Sequence, residues 1–169
     1  KEFENKYASY CGTKYAIGCA NGTDALFLAI KSLNLPKNSE VILPAMTYCS
    51  TLFSVIRAGL KPVLVDIKEN YSTICVKSLK KKISKNTKLI IMVHLYGEPC
   101  DYFEIKKIIN KKKIFLIEDA AQAHGSKIKK QFAGTFGDFG AFSFYSTKII
   151  TTGEGGMVTF SNKKYLKKI

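Results

Sequence analysis

The run TKLIIMVHLYG, residues 87–97, decides the fold. From Thr87 to Leu95 it is a continuous apolar stretch, the pattern of a strand covered on both faces, and it closes on His94, Tyr96 and Gly97. A strand of this kind belongs to a parallel sheet packed between helices. On its carboxyl side, Asp101 to Asn110 reads as a helix, and Lys113 to Ile117 as a second buried strand terminating in Glu118 and Asp119. On its amino side, Val76 to Ile83 reads as an amphipathic helix and KPVLVDI, residues 61–67, as a strand with Asp66 near its end. Further out lie a helix over Thr51 to Ala58 stopped by Gly59, a strand over Glu40 to Leu43 ending at Pro44, and NGTDALFLAIKSLNL from Asn21. A short strand at Tyr15 to Ala20 and a helix over Glu2 to Tyr10 complete the amino-terminal part. The alternation of strand and helix with short connections predicts an α/β fold of three layers, α-β-α, around a mostly parallel open sheet.

The 169 residues suffice for one domain with a proper core, and 46% hydrophobic content fits a globular class. Apolar runs stop well short of a membrane span. KEFENKYASY opens the chain with polar and charged residues, unlike a signal peptide. The missing initiator Met and the ending at YLKKI point to a fragment or a chain trimmed at both ends. The net charge of +14 would suit an anionic partner. Its carriers are lysines, with Arg57 the sole arginine, clustered at Lys80 to Lys82, Lys111 to Lys113 and Lys167 to Lys168. Solvated helix faces account for them, and specific nucleic-acid recognition, which relies on arginine, is not expected. Five widely spaced cysteines without a C-x-x-C pair argue against disulfides and zinc and fit a reducing cytoplasm.

Under the general rule for such sheets, ligands bind beyond the carboxyl ends of the strands. The polar residues expected there are Thr23, Tyr48, Asp66, His94, Asp119 and Gln122. At Gly22–Thr23 a glycine turn precedes a helix, with Thr23 as a capping hydroxyl, and such a helix end binds phosphate. Glu118 and Asp119 should face opposite ways, one into the cleft and the other to solvent. SFYSTKIITTGEGGM, residues 143–157, then brings an aromatic strand into a lysine, Lys148, and out again through Gly153, Gly155 and Gly156. Desolvation at a tight strand-end turn favours a neutral amine, and a neutral amine can form a Schiff base.

Together these residues match what pyridoxal 5′-phosphate needs. Donors at Gly22 and Thr23 suit its phosphate, a ring at Tyr48 suits stacking, Asp119 suits the pyridine nitrogen and Lys148 suits the aldehyde, with Gln122 and Ser143 completing the set. Read singly, each has a plain structural explanation as a cap, a loop acid or a surface lysine.

The segments NGTDAL, EVILPAMTYCST, KPVLVDI, VHLYGEPCD, IEDAAQAHGS, GTFGDFGAFSF and TKIITTGEGGM run in this order almost from end to end. In them the chain resembles the fold-type I pyridoxal-phosphate aminotransferases that act on nucleotide-linked keto sugars, the DegT/DnrJ/EryC1/StrS family. The resemblance implies Lys148 as the internal-aldimine lysine and proton shuttle, Asp119 at the pyridine nitrogen and Gln122 near the ring hydroxyl. It implies Gly22, Thr23 and Ser143 at the phosphate and Tyr48 stacked on the ring, with His94 and His124 only shaping the cleft. It implies transfer of an amino group from L-glutamate to a nucleotide-linked keto sugar by a homodimer. Some members carry His in place of the lysine and dehydrate the sugar, and Lys148 speaks against that branch. Tyr145–Ser146 departs from the pair many members carry. Residues 1–169 would then be the cofactor-binding large domain, lacking the smaller carboxyl-terminal one. An inactive paralogue or inert fragment stays open on the sequence alone. A kinase reading of Asp138-Phe139-Gly140 does not, because no glycine-rich ATP loop or H-R-D loop accompanies it.

Overall fold

In the computed structural model, which describes residues 1–110 and 112–169, seven strands form one sheet. Lys111, counted above in a basic cluster, lies outside the described residues. In chain order the elements are α1 (Glu2–Cys11), β1 (Tyr15–Cys19), α2 (Gly22–Ser32), β2 (Glu40–Pro44), α3 (Cys49–Arg57) and β3 (Lys61–Val65). Next come α4 (Val76–Lys82), β4 (Thr87–Val93), α5 (Tyr102–Ile109) and β5 (Phe115–Asp119). The last are β6 (Lys127–Ile128), β7 (Gln131–Phe132), β8 (Phe139–Ser143) and β9 (Gly156–Phe160). The sheet order is β1-β9-β8-β5-β4-β2-β3, while β6 and β7 make a separate small hairpin.

From β8 to β3 every neighbouring pair is parallel. The exception is β9, which runs antiparallel to both β1 and β8. The sheet is therefore mostly parallel, as the sequence pattern predicts.

The central strand β4 shows why the layers are three. Leu89, Ile91 and Val93 join a core with Ala25, Leu26, Ile30 and Val55 of α2 and α3. Ile90 and Met92, offset by one residue, join Leu79, Ile105 and Ile109 of α4 and α5. Period-two alternation with both faces apolar thus gives each side of the sheet its own helices. On the second face α1 packs with Tyr7, Ala8 and Cys11 against Phe142, Phe144 and Met157. Each fully buried aliphatic side chain contributes about 1.5–3 kcal/mol.

Several boundaries differ from expectation by one or two residues, two of them with a clear physical reason. β5 begins at Phe115 rather than Lys113, because Lys112 and Lys113 are exposed and cannot enter a strand covered on both faces. β3 ends at Val65, and Ile67 instead bridges to Ile74. All five cysteines are free. Among the described residues, no helix is long and apolar enough to cross a membrane.

Candidate functional site

A cleft of about 390 Å³ opens at the carboxyl ends of the parallel strands. It is lined by Gly22, Thr23, Tyr48, Asp119, Gln122, Ser143 and Lys148, the residues that the sequence assigns to a cofactor, while His124 is not among its lining. His94 also lines it. Asp66 does not. It follows β3, the outermost strand, and is exposed there, taking its hydrogen bond from Ser78 Oγ at 3.1 Å.

The start of α2 forms one wall. Its cap is Asn21 rather than Thr23: Asn21 Oδ1 accepts from the Asp24 backbone N–H at 2.8 Å. Thr23 Oγ1 instead donates to Ser50 Oγ at 2.8 Å, and Ser54 Oγ donates to the Thr23 carbonyl at 3.1 Å, so α3 holds the helix start in place. Gly22 has no room for a side chain, since a Cβ would stand 2.8 Å from Ser143 Cβ. Asp24 turns away to pair with Arg57 at 2.7 Å.

Asp119 forms the floor and is 7% exposed. Thr51 Oγ1 donates to Oδ2 at 2.7 Å, and the Ala121 N–H donates to Oδ1 at 3.2 Å. With the Thr51 proton so committed, Thr47 must be the donor in the Thr47–Thr51 contact at 2.8 Å. Burial pushes the Asp119 carboxyl above the ordinary carboxylate range, against the hydrogen bonds from Thr51 and Ala121 and the positive charge of Lys148.

The expectation that Glu118 meets solvent is overturned. Glu118 is fully buried on the other face of β5. Its Oε1 accepts from the backbone N–H groups of Phe136 and Gly137 at 2.6 and 2.7 Å. Its Oε2 accepts from Gly134 N at 2.7 Å and faces His94 Nε2 at 2.9 Å. A turn whose N–H groups need acceptors has drawn the carboxylate inward. For His94, burial opposes charge, while its contacts with Cys100 and Glu118 push the pKa upward. One atom argues otherwise. The Cys100 backbone N–H donates to Nδ1 at 3.1 Å, and a proton on Nδ1 would set two N–H groups against each other. We therefore read the ring as neutral, with its proton on Nε2 and donated to Glu118.

Lys148 sits half-buried in the loop joining antiparallel β8 and β9. The loop is closed at its base by Phe144 N donating to the Gly155 carbonyl, and by Thr152 N and Thr151 Oγ1 donating to the Phe144 carbonyl. The hydroxyls flanking the lysine thus divide: Thr151 fixes the loop, while Thr147 lines the cleft. Gly156 packs its Cα under α2, where a Cβ would lie 2.2 Å from the Asn21 carbonyl oxygen. Gln122 Oε1 accepts from the backbone N–H of Tyr96, a residue in the left-handed region with φ 57°. Tyr48 is 68% exposed and covers one side of the mouth.

The sequence reading missed Asn21 as the cap, and missed Thr51 and Glu154. Only Asn21 carried a signal, since asparagine before a helix start is a favoured cap. Thr51 and Glu154 reach the site through contacts distant in sequence or through a loop path that periodicity does not encode.

A family model described as the DegT/DnrJ/EryC1/StrS aminotransferase family matches residues 1–169. The chain is 42% identical over 163 residues to a GDP-perosamine synthase of Escherichia coli O157:H7, covering 96% of this chain and 45% of that protein. An aminotransferase from Psychrobacter cryohalolentis has the same fold with a TM-score of 0.96 and 39% identity, over 99% of this chain and 42% of that one. A GDP-4-keto-6-deoxymannose-3-dehydratase with a trapped PLP-glutamate geminal diamine matches with a TM-score of 0.94 and 35% identity, over 97% of this chain and 44% of that one. The chain spans less than half the length of these relatives.

Proposed function

Because this chain belongs to the DegT/DnrJ/EryC1/StrS aminotransferase family, we propose that residues 1–169 are the cofactor-binding domain of a pyridoxal 5′-phosphate-dependent aminotransferase. Its reaction moves an amino group from L-glutamate to a nucleotide-linked keto sugar. One observation carries the reading: a lysine, a buried carboxylate and a glycine-hydroxyl helix start converge on one cleft.

The residues fit the cofactor. Gly22, where a Cβ would press on Ser143, keeps the amino end of an eleven-residue helix bare, and there N–H groups and the helix dipole favour an anion. Gly22, Thr23 and Ser143 would hold the phosphate. Asp119 would face the ring nitrogen, Gln122 the ring hydroxyl, and Tyr48 one face of the ring. When bound, pyridoxal 5′-phosphate supplies an aldehyde and an electron sink. The chain's own part is acid–base and electrostatic. Lys148 Nζ would hold the cofactor through its aldehyde and, as a free amine, would take and return a proton. Thr51 holds Asp119 in place, and the Asp119 carboxylate would stabilise a proton on the ring nitrogen. Gly22 and the Asn21 cap leave backbone N–H groups for the phosphate oxygens.

The relatives, which include a GDP-perosamine synthase and a dTDP-3-amino-3,6-dideoxy-alpha-D-galactopyranose transaminase, support the substrate class. The glutamate trapped on PLP in a structural relative supports the donor. Exposed apolar side chains, Tyr48 at the mouth and Phe53, Ile56, Tyr96 and Ile149 elsewhere on the surface, support a homodimer.

Borohydride reduction of the cofactor-loaded full-length protein, followed by peptide mass spectrometry, should place the label on Lys148. Labelling elsewhere would sink the assignment. Glutamate should then convert bound cofactor to its amine form, which an inert paralogue would not do. A panel of nucleotide-linked 3-keto and 4-keto sugars identifies the acceptor.

A further inference from the structure

Helix α1 lies on the face of the sheet opposite α2, yet one of its side chains reaches the candidate phosphate end. Tyr7 Oη lies 2.8 Å from His124 Nδ1, across 117 residues of sequence. On the far side of the same ring, Nε2 lies 2.8 Å from the Ser143 carbonyl oxygen. A carbonyl can only accept, so the Nε2 proton goes to Ser143 and Nδ1 accepts from the Tyr7 hydroxyl. Every polar atom of the pair is thereby assigned.

The chain of contacts is dry and rigid. Tyr7 is 4% exposed and His124 6%. The Tyr7 ring stands edge-on to Phe142 and Phe144, with centroids at 5.2 and 5.3 Å, and His124 lies against the same two rings at 5.3 and 5.2 Å. Burial holds Tyr7 protonated and, with the nearby Lys148 charge, lowers the His124 pKa although the Ser143 carbonyl raises it. Ser143 ends β8, with its side chain against Gly22, so a shift of a few tenths of an ångström at Ser143 reshapes the cradle at the start of α2.

We propose that Tyr7 and His124 are positioning residues that hold Ser143 for the cofactor phosphate, making α1 a working part of the site. The inference rests on the cofactor reading above.

The test compares dissociation constants for pyridoxal 5′-phosphate and for pyridoxal, which lacks the phosphate, in the full-length protein. The ratio isolates the phosphate contribution from general damage to the cleft. In the wild type the phosphorylated form should bind far more tightly. His124→Leu should shrink that preference about tenfold, the worth of one well-placed hydrogen bond. His124→Gln, whose amide can still donate to Ser143, should recover much of it. Tyr7→Phe keeps the aromatic packing and should shrink it to a smaller degree. Circular dichroism and melting curves report whether each variant folds, and Tyr7→Phe decides the matter if His124→Leu does not. Equal loss for both ligands, or an unchanged ratio in His124→Leu or Tyr7→Phe, overturns the relay alone. A wild type indifferent to the phosphate overturns the cofactor reading and the relay with it.

Discussion

Thr51 donates its hydroxyl proton to Oδ2 of Asp119 at 2.7 Å, tying the first turn of α3 to the end of β5. The bond offsets part of the burial that pushes the Asp119 carboxyl upward. A carboxyl whose folded-state pKa is raised contributes its full stability below the unfolded value, near 3.8, and loses it as pH rises through the folded value. Ionised Asp119 is therefore a cost to the cofactor-free protein at neutral pH. Asp119→Asn should melt a few degrees higher than wild type at pH 7, with the gap closing toward pH 4, and should bind pyridoxal 5′-phosphate more weakly. Parallel melting profiles across that range would refute the account.

Glu118 should matter to stability more than to chemistry. Its two oxygens meet three backbone N–H groups of residues 134–137 and the His94 ring, all away from water. Glu118→Gln turns an amide NH₂ toward at least one of those donors. The expected loss is about 3 kcal/mol or more in urea unfolding. A loss under about 1 kcal/mol would mean that the turn finds other acceptors.

Gly22 and Gly156 lie close together but should fail differently. A Cβ on Gly22 would stand 2.8 Å from Ser143 Cβ, the fixed root of that side chain, so Gly22→Ala should displace Ser143, weakening cofactor binding and lowering the melting temperature slightly. A Cβ on Gly156 would overlap the Asn21 carbonyl at 2.2 Å and the Cys19 sulfur at 2.9 Å. Backbone must move there, and Gly156→Ala should destabilise by about 1–3 kcal/mol. Chemical denaturation paired with cofactor titration separates the two effects.

Tyr165 buries its hydroxyl without a hydrogen-bond partner among the described residues, with its ring 4.5 Å from that of Phe139. Removing that oxygen removes a desolvated group and leaves the packing intact. Tyr165→Phe should be neutral or stabilising by up to about 1 kcal/mol. A clear drop in melting temperature would reveal a partner for the hydroxyl.

What the sequence made legible follows the range of the forces involved. The strand at Thr87–Val93 announces itself because both of its faces are apolar, and that alone implies parallel neighbours and two helical layers. Gly22, Thr23, Tyr48, Asp119, Gln122, Ser143 and Lys148 could be placed at one rim because that rim collects strand ends and helix starts. Asp66 was misplaced because strand order is not written locally, and β3 lies at the edge of the sheet. Glu118 was misjudged because alternation says which way a side chain points, not whether donors await it. The Tyr7–His124–Ser143 contacts join three distant parts of the chain, and no local pattern encodes them.

The antiparallel course of β9 also governs the order in which the molecule can be completed. Among the described residues, β1 hydrogen-bonds within the sheet only to β9, with Tyr15 opposite Phe160 and Cys19 opposite Gly156. Nearly the whole chain separates them. During synthesis β1 emerges before β9 and keeps this edge unpaired until residues 156–160 have left the ribosome. A nascent chain halted before β9 would carry β1 as an open edge, ready to pair with another chain.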